Sequence, residues 1–294
     1  MNQPNQFFDP FSAAAEQASQ ALVHLAAACR RGASASVYSD DGVLVTTARA
    51  VAGRDRLEVS QGDHTSEAKV VGYDAATDIG VARADAPLGK APTFSDAPAR
   101  LGSLILAASR PGRAVRVRLG VVSQVGEAWH TLRGARVERY VETDVAPEPG
   151  YSGGLGFGGD GRALGMLSAG LLRGVPLLLE KPTLDRIVAA LLSNGRVRRG
   201  YLGVGTQAVR LPDPAAASAG QNTGLLVSSV QPDSPAERAG LLLGDTLLAL
   251  GQARLTDAQA LQAALEDAER QTLPLALLRA GQPLTLDIAP GARP

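Results

Sequence analysis

Glu148-Pro149-Gly150-Tyr151-Ser152-Gly153-Gly154 sets one serine among three glycines, after a proline and ahead of an apolar run. Glycine adopts backbone angles closed to other residues, so such a turn lifts a serine oxygen clear of the chain. It also frees neighbouring N–H groups to converge on one point. That is the layout of a nucleophile beside an oxyanion hole. Alone, the heptad reads more simply as a glycine-rich loop with an incidental serine. What separates the two readings is whether the chain supplies the serine with a base.

Around the heptad the texture is β. Residues 34–38, 43–47, 56–60, 66–73, 79–82, 104–108, 115–125 and 137–142 precede it as short strand-like runs, and 163–168 and 175–179 follow. Asp41-Gly42, Gly62-Asp63, Pro111-Gly112 and Asp160-Gly161 supply turns between them. Many short strands at regular spacing predict a β-barrel or sandwich. One helix closes this region, with Thr183 as its expected N-cap, a stripe of Leu184, Ile187, Val188, Leu191 and Leu192, and Gly195 as its stop. Ahead of the strands, residues 1–20 form a polar arm with an alanine-rich helical stretch. Its aromatics Phe7, Phe8 and Phe11 are expected to dock on this chain or on a neighbouring copy.

After the linker-like Arg196-Val197-Arg198-Arg199-Gly200 comes a smaller α+β unit. Strands at 225–230 and 246–250 flank a short helix, which Ser234-Pro235-Ala236-Glu237 opens with capping-box spacing and Gly240 ends. A longer helix is predicted to start at Thr256, with Leu261, Ala264, Leu265 and Ala268 on its apolar face. A hairpin of 274–279 and 283–288 turns at Ala280-Gly281, and residues 291–294 are expected to be disordered.

Bulk composition narrows the function. Of the 294 residues, 45% are hydrophobic, enough for two cores. Lys+Arg and Asp+Glu are equal at 29 each, and aromatics are only 4%, which argues against nucleic acid as a partner. The lone Cys29 excludes an internal disulfide, and His24, His64 and His130 lack metal-ligand spacing, so neither metal nor cofactor is expected. The first 19 residues carry Asp9 and Glu16 and no Lys or Arg, unlike a secretory leader, and no run is long enough to span a bilayer. The expectation is a soluble, cytoplasmic chain.

Five segments, in order, resemble the HtrA/DegP family. They are Asp41-Gly42-Val43-Leu44-Val45-Thr46-Thr47-Ala48-Arg49-Ala50-Val51; Ala68 through Asp78-Ile79; Gly120-Val121-Val122-Ser123; Thr143-Asp144 through Gly154; and Gly195 through Val204. The resemblance runs over nearly the whole chain from about residue 21. It implies a mainly β fold: a trypsin-like double six-stranded β-barrel over 21–195, a linker at 196–200 and a small α+β PDZ domain over 201–290. It also places Ser152 at the nucleophile position, Asp78 at the triad aspartate and the Gly150 and Ser152 N–H groups at the oxyanion hole. Where active members have histidine, this chain has Arg49, and Tyr151 replaces the asparagine usual before the serine.

Arginine cannot act as the base, because its pKa exceeds about 12 and it has no acceptor lone pair. If Arg49 points inward, it is expected to form an ion pair with Asp78. The three histidines and Lys69 read as surface or packing residues rather than substitute bases. In the second unit, the resemblance implies that Tyr201-Leu202-Gly203-Val204 captures a peptide carboxylate through backbone N–H groups. Leu261, Ala264 and Leu265 either line its slot or pack on the core. Trimers joined near the N-terminus, through Phe7, Phe8 and Phe11, are a further implication.

The expected function is an HtrA-like pseudoprotease that binds peptides or protein C-termini and serves as a scaffold or regulator in protein quality control. Two alternatives are an active serine endopeptidase with a non-standard or partner-supplied base, and an inactive subunit mixed into oligomers of an active relative.

Overall fold

In the computed structural model, residues 9–26, 32–266, 268 and 271–292 are described. The chain divides into two compact units, Met1–Thr131 with Val137–Val197, and Leu132–Arg136 with Arg198–Pro294.

The first unit opens with helix α1 (Asp9–Ala21) and then six strands: β1 (Leu22–Leu25), β2 (Ala33–Ser39), β3 (Val43–Thr46), β4 (Arg56–Gln61), β5 (His64–Asp74) and β6 (Ile79–Ala84). A one-turn helix α2 (Ala48–Val51) lies between β3 and β4. The six strands close into a barrel in the order β1-β2-β3-β6-β5-β4. After β7 (Leu104–Ser109) and β8 (Arg116–Val125) come two-residue strands β9 (Trp129–His130) and β10 (Arg136–Val137), then β11 (Val141–Thr143), β12 (Leu155–Gly158), β13 (Ala163–Ser168) and β14 (Leu177–Glu180). β7, β8 and β11–β14 close a second barrel, β11-β14-β13-β12-β7-β8. Read around the ring from β7, this is the connectivity of the first barrel repeated. Closure leaves neither sheet with a free edge.

Helix α3 (Lys181–Asn194) packs Leu184, Ile187, Val188 and Leu191 into a cluster with Val43, Val45, Ile79, Val81, Met166 and Leu179, which draws on both barrels. Its cap differs from expectation. Glu180 is the N-cap, Pro182 sits in the first turn, and Thr183 is inside the helix, where its hydroxyl donates to Glu138 at 2.6 Å. A proline with no N–H to satisfy suits the first turn and moves the start upstream of Thr183. Leu192 is 40% exposed: one step along a helix from Leu191 turns it about 100° off the buried face. Gly195 ends the helix in the left-handed conformation, as expected. Phe11 packs against this chain's own cluster of Ala14, Ala18, Leu106 and Phe157, whereas Phe7, Phe8 and Cys29 lie outside the described residues.

In the second unit, β15 (Gly200–Tyr201) precedes β16 (Val204–Arg210), α4 (Asp213–Ala219), β17 (Thr223–Val230), α5 (Pro235–Arg238), β18 (Thr246–Leu250), β19 (Ala253–Arg254), α6 (Ala258–Leu265), β20 (Leu273–Arg279), β21 (Gln282–Ile288) and β22 (Gly291–Ala292). The main sheet runs β16-β17-β18-β20-β21, which leaves β16 at an edge. The β20–β21 turn is Ala280-Gly281, both at positive φ (49° and 79°), as a two-residue hairpin of this twist needs. Ser234 caps α5 by accepting from the Glu237 N–H at 3.2 Å. α6 starts two residues later than expected, capped by Asp257 from the Ala260 N–H at 2.9 Å, because a carboxylate beats the Thr256 hydroxyl as an N-cap acceptor. Gly291 and Ala292, expected to be disordered, pair instead with Tyr201 and Gly200.

Candidate active site

Three segments deliver the three family positions. β3 leads through Thr47 into α2, whose Ala48, Ala50 and Val51 are buried, so Arg49 falls on the outward side and is exposed. Between β5 and β6 the Asp74 carboxylate accepts from the Ala76 N–H (3.3 Å), the Thr77 N–H (3.1 Å) and the Thr77 hydroxyl (2.6 Å). This local turn hands the chain to Asp78, held at φ 57°, a left-handed conformation that aspartate tolerates better than most residues. Ser152 follows the glycine turn after β11.

Asp78 and Ser152 meet on neighbouring residues at the end of β13. The Ser168 hydroxyl donates to Asp78 Oδ2 at 2.7 Å, and the Ala169 N–H donates to Ser152 Oγ at 3.0 Å. Burial pushes the Asp78 carboxyl above its usual range. The Ser168 hydrogen bond, the N–H groups of Ala48 and Arg49, and the Arg49 charge pull it only partly back.

The expected Arg49–Asp78 ion pair does not form. Among the described residues the Arg49 guanidinium makes no hydrogen bond or ion pair. The Asp78 carboxylate is already bound by the Ser168 hydroxyl, and a hydrated guanidinium would lose more by entering the site than one more partner returns.

The serine turn is pinned from the first barrel. The Ser34 hydroxyl donates to the Gly150 carbonyl (2.6 Å) and accepts from the Arg110 N–H (2.8 Å), while the Ser36 hydroxyl donates to the Gly153 carbonyl (3.0 Å). Gly150 sits at φ 84°, and a Cβ there would lie 2.5 Å from Pro111 Cβ, so only glycine fits. Among the described residues, neither the Gly150 nor the Ser152 N–H has a protein acceptor. Tyr151 points away from the serine into the second barrel, 5% exposed, with Val122, Val141 and Leu178 in the same cluster. Burial pushes its phenol up to about 12, so it is no base at neutral pH.

No substitute base appears. His64 begins β5 at the surface, Lys69 is exposed on β5, and His24 lies in β1 with a buried, unpartnered Nδ1. Among the described residues, no histidine, lysine or carboxylate hydrogen-bonds to Ser152, and no group of three His, Cys, Asp or Glu side chains is set to hold a metal.

In the second unit, the Tyr201-Leu202-Gly203-Val204 turn lies between β15 and the edge strand β16. Gly203 takes φ 83°, and a Cβ there would come 2.2 Å from Ser234 Cβ. Its carbonyl accepts from the Gln231 N–H at 2.8 Å, and the Leu202 carbonyl from the Ala236 N–H at 2.9 Å. The Gly203 N–H has no acceptor among the described residues. Leu261 and Leu265 are 4% and 5% exposed and belong to the core with Leu202, whereas Ala264 and Val204 are half-buried against it. Of the two readings offered for Leu261 and Leu265, their positions here are those of core residues.

The residues that sequence reasoning missed are Ser168, Ala169 and Ser34. Ser168 ends a predicted strand and Ala169 follows it, with no motif of their own; only the register of β13 beside β12 and β14 brings them to the site.

Residues 33–166 match the family of trypsin-like peptidase domains, and residues 226–279 the PDZ domain family. A probable periplasmic serine endoprotease, DegP-like, from Marinomonas sp. is 33% identical over 223 residues, covering 73% of this chain and 47% of the relative. Its counterpart from Pseudomonas putida is 30% identical over 272 residues, covering 89% and 56%. The solved structure of the HtrA-type protease AlgW with decapeptide is 26% identical, with a TM-score of 0.77 over 97% of this chain and 99% of that one. The chain thus spans about half the length of the curated relatives it matches.

The relatives' description as periplasmic overturns the cytoplasmic expectation and points to the periplasm or envelope. That expectation rested on the first residues, which do not carry a location. Among the described residues, no helix is long and apolar enough to cross a membrane. The chain is a trypsin-like peptidase domain with a C-terminal PDZ domain, and DegP-like and HtrA-type proteins are its homologues and structural neighbours.

Proposed function

We propose that the chain is a pseudoprotease that binds peptides or protein C-termini through its PDZ domain and acts as a scaffold or regulator in protein quality control. The observation that carries this reading is Arg49: an exposed guanidinium stands where a proton acceptor is required, and among the described residues nothing that hydrogen-bonds to Ser152 can take its proton. Without the base, a serine site retains about 10³–10⁴-fold catalysis over water, negligible turnover for a peptide bond. The sheet edge at β16 and the unused Gly203 N–H support strand addition and carboxylate capture. A peptide-bound HtrA-type neighbour agrees with that part of the reading. Assembly into homotrimers or larger oligomers, alone or with an active relative, belongs to the same proposal. Phe11 is already engaged within its own chain, so the arm's contribution falls to Phe7 and Phe8.

One observation favours a second reading. The N–H groups of Gly150 and Ser152 remain without acceptors, as an oxyanion hole requires, so a base supplied by a partner would find the rest of the site in place. The test combines a serine-reactive fluorophosphonate probe and unfolded casein with a C-terminal peptide library read by fluorescence polarisation. The first reading expects no labelling at Ser152, no cleavage, and selective binding of free carboxyl termini. Cleavage that disappears in Ser152→Ala would replace it with the second.

A further inference from the structure

Away from the serine, the first unit holds an open cavity of about 460 Å³ lined by Ser19, Gln20, Gln61, Gly62, Gly89, Lys90 and Arg110. Arg110 is 4% exposed, yet among the described residues no carboxylate pairs with it. Its guanidinium donates to neutral acceptors only: the Arg113 carbonyl at 2.7 Å, the Ser19 carbonyl at 2.8 Å and the Ser19 hydroxyl oxygen at 3.4 Å. Nε has no partner among the described residues. The nearby Asp63 is bound to Arg113. A second cation, Lys90, is exposed at the same cavity and has no acidic partner among the described residues; Asp40 accepts from the N–H of the next residue, Ala91.

A buried cation without a counter-charge is unfavourable, and proteins rarely retain one. Burial indeed holds the Arg110 guanidinium below its ordinary range. Part of the charge is met by the C-terminus of α1, where Ser19 and Gln20 lie, but a helix end offsets only roughly half a unit. The carbonyls there are already occupied. Ser19 O receives Arg110 and Gln61 Nε2, and Gln20 O receives Gln61 Nε2 at 2.7 Å and the Lys90 N–H at 2.9 Å. What the cavity leaves uncommitted among the described residues is positive: the Lys90 ammonium, about half of the Arg110 charge and the donor hydrogen of the Ser19 hydroxyl. Two cations and a hydroxyl donor around one opening match a tetrahedral dianion better than a single carboxylate.

We propose that this pocket binds a small polyvalent oxyanion of the phosphate class between Arg110 and Lys90. The site requires no turnover at the serine, although the Arg110 N–H also supports the serine turn through Ser34. It is tested by isothermal titration calorimetry of the full chain with inorganic phosphate at constant ionic strength. The expected result is saturable one-to-one binding, weakened about tenfold or more by Lys90→Ala, as for loss of one charge-assisted hydrogen bond, and abolished by Lys90→Glu. Lys90 is exposed, so these variants keep the fold even where Arg110→Met does not. Lys69→Glu, with the same charge change on β5, should leave the affinity unaltered. Absence of saturable heat with the unmodified chain, unchanged affinity in Lys90→Glu, or an equal loss in Lys69→Glu would overturn the assignment.

Discussion

Arg49→His asks whether a base is all that the site lacks. The substitution is gentle for the fold: Arg49 is exposed on α2 and makes no hydrogen bond or ion pair among the described residues, so stability should change by no more than about 0.5 kcal/mol. An imidazole there needs an acceptor for its N–H and a serine to deprotonate. Asp78 Oδ2 accepts from the Ser168 hydroxyl at 2.7 Å, and a carboxylate has about four acceptor positions, so room remains for an imidazole N–H. Removing the histidine of a serine triad costs about 10⁶-fold in kcat. Against that full gain, Ser152 Oγ must release the Ala169 N–H as it attacks, a loss of about 1 kcal/mol or roughly fivefold. The expected outcome is therefore a gain of about 10⁵-fold in Ser152-dependent hydrolysis. The assay is steady-state cleavage of a fluorogenic peptide with Arg49→His/Ser152→Ala as the blank. A variant that keeps its Tm, folds normally by circular dichroism and still shows no gain would refute the claim that the remaining geometry is intact.

Ser168→Ala removes the hydroxyl that supports the Asp78 carboxylate. Burial already raises the Asp78 pKa, so its ionised form is a penalty that is absent below the unfolded value and grows as pH rises through the folded one. The variant raises that pKa further and should lose about 2 kcal/mol at pH 7 but much less near pH 3, read by urea unfolding at both; equal losses at the two pH values would show that Ser168 acts by packing alone. Gly203→Ala forces a side chain into φ 83° and to within 2.2 Å of Ser234 Cβ, so the second unit should lose about 3 kcal/mol and its peptide binding. A normal melt with normal binding would mean the turn relaxes freely. Asp245 is buried and bonds Arg279 at 2.9 and 2.8 Å and the Leu242 N–H at 2.8 Å. Burial pushes its carboxyl up, but these partners together hold it below its usual range, so the stability it provides is present above the unfolded pKa and lost as pH falls through the folded one. Asp245→Asn should cost about 3 kcal/mol at pH 7, the low end for a broken buried pair because Arg279 is partly exposed, and should flatten the acid limb of the melting curve.

Alternation and turn chemistry were enough to foresee most strands of both barrels, because closed antiparallel sheets write their pattern locally. The Ala280-Gly281 hairpin and the Ser234 cap were legible for the same reason. Where two local signals competed, the less obvious one prevailed, as at Glu180 over Thr183 and Asp257 over Thr256. Long-range pairing was not legible. Residues 291–292 look like a frayed tail until β15 offers a partner about ninety residues away, and nothing near Ser168 in sequence announces Asp78. The direction of Arg49 was likewise hidden, since it depends on which face of a four-residue helix the buried alanines and valine claim.

That dependence also explains how Asp78 and Ser152 stay ordered with an exposed arginine at position 49. In a working triad the histidine bridges acid and nucleophile, and its loss would be expected to set both adrift. Here neither leans on it. Asp78 is fixed by the Asp74 turn just ahead of it and by Ser168, Ser152 by Ala169 and by a glycine turn that Ser34 and Ser36 clamp from the other barrel. The bridge between them runs through the Ser168 hydroxyl at the end of β13 and the Ala169 N–H that follows it, both placed by a strand the barrel holds for its own closure. An arginine at position 49 then costs the fold almost nothing, because it leaves the site for water. The same economy means that the serine turn persists as a consequence of barrel packing, and its survival is no evidence of turnover.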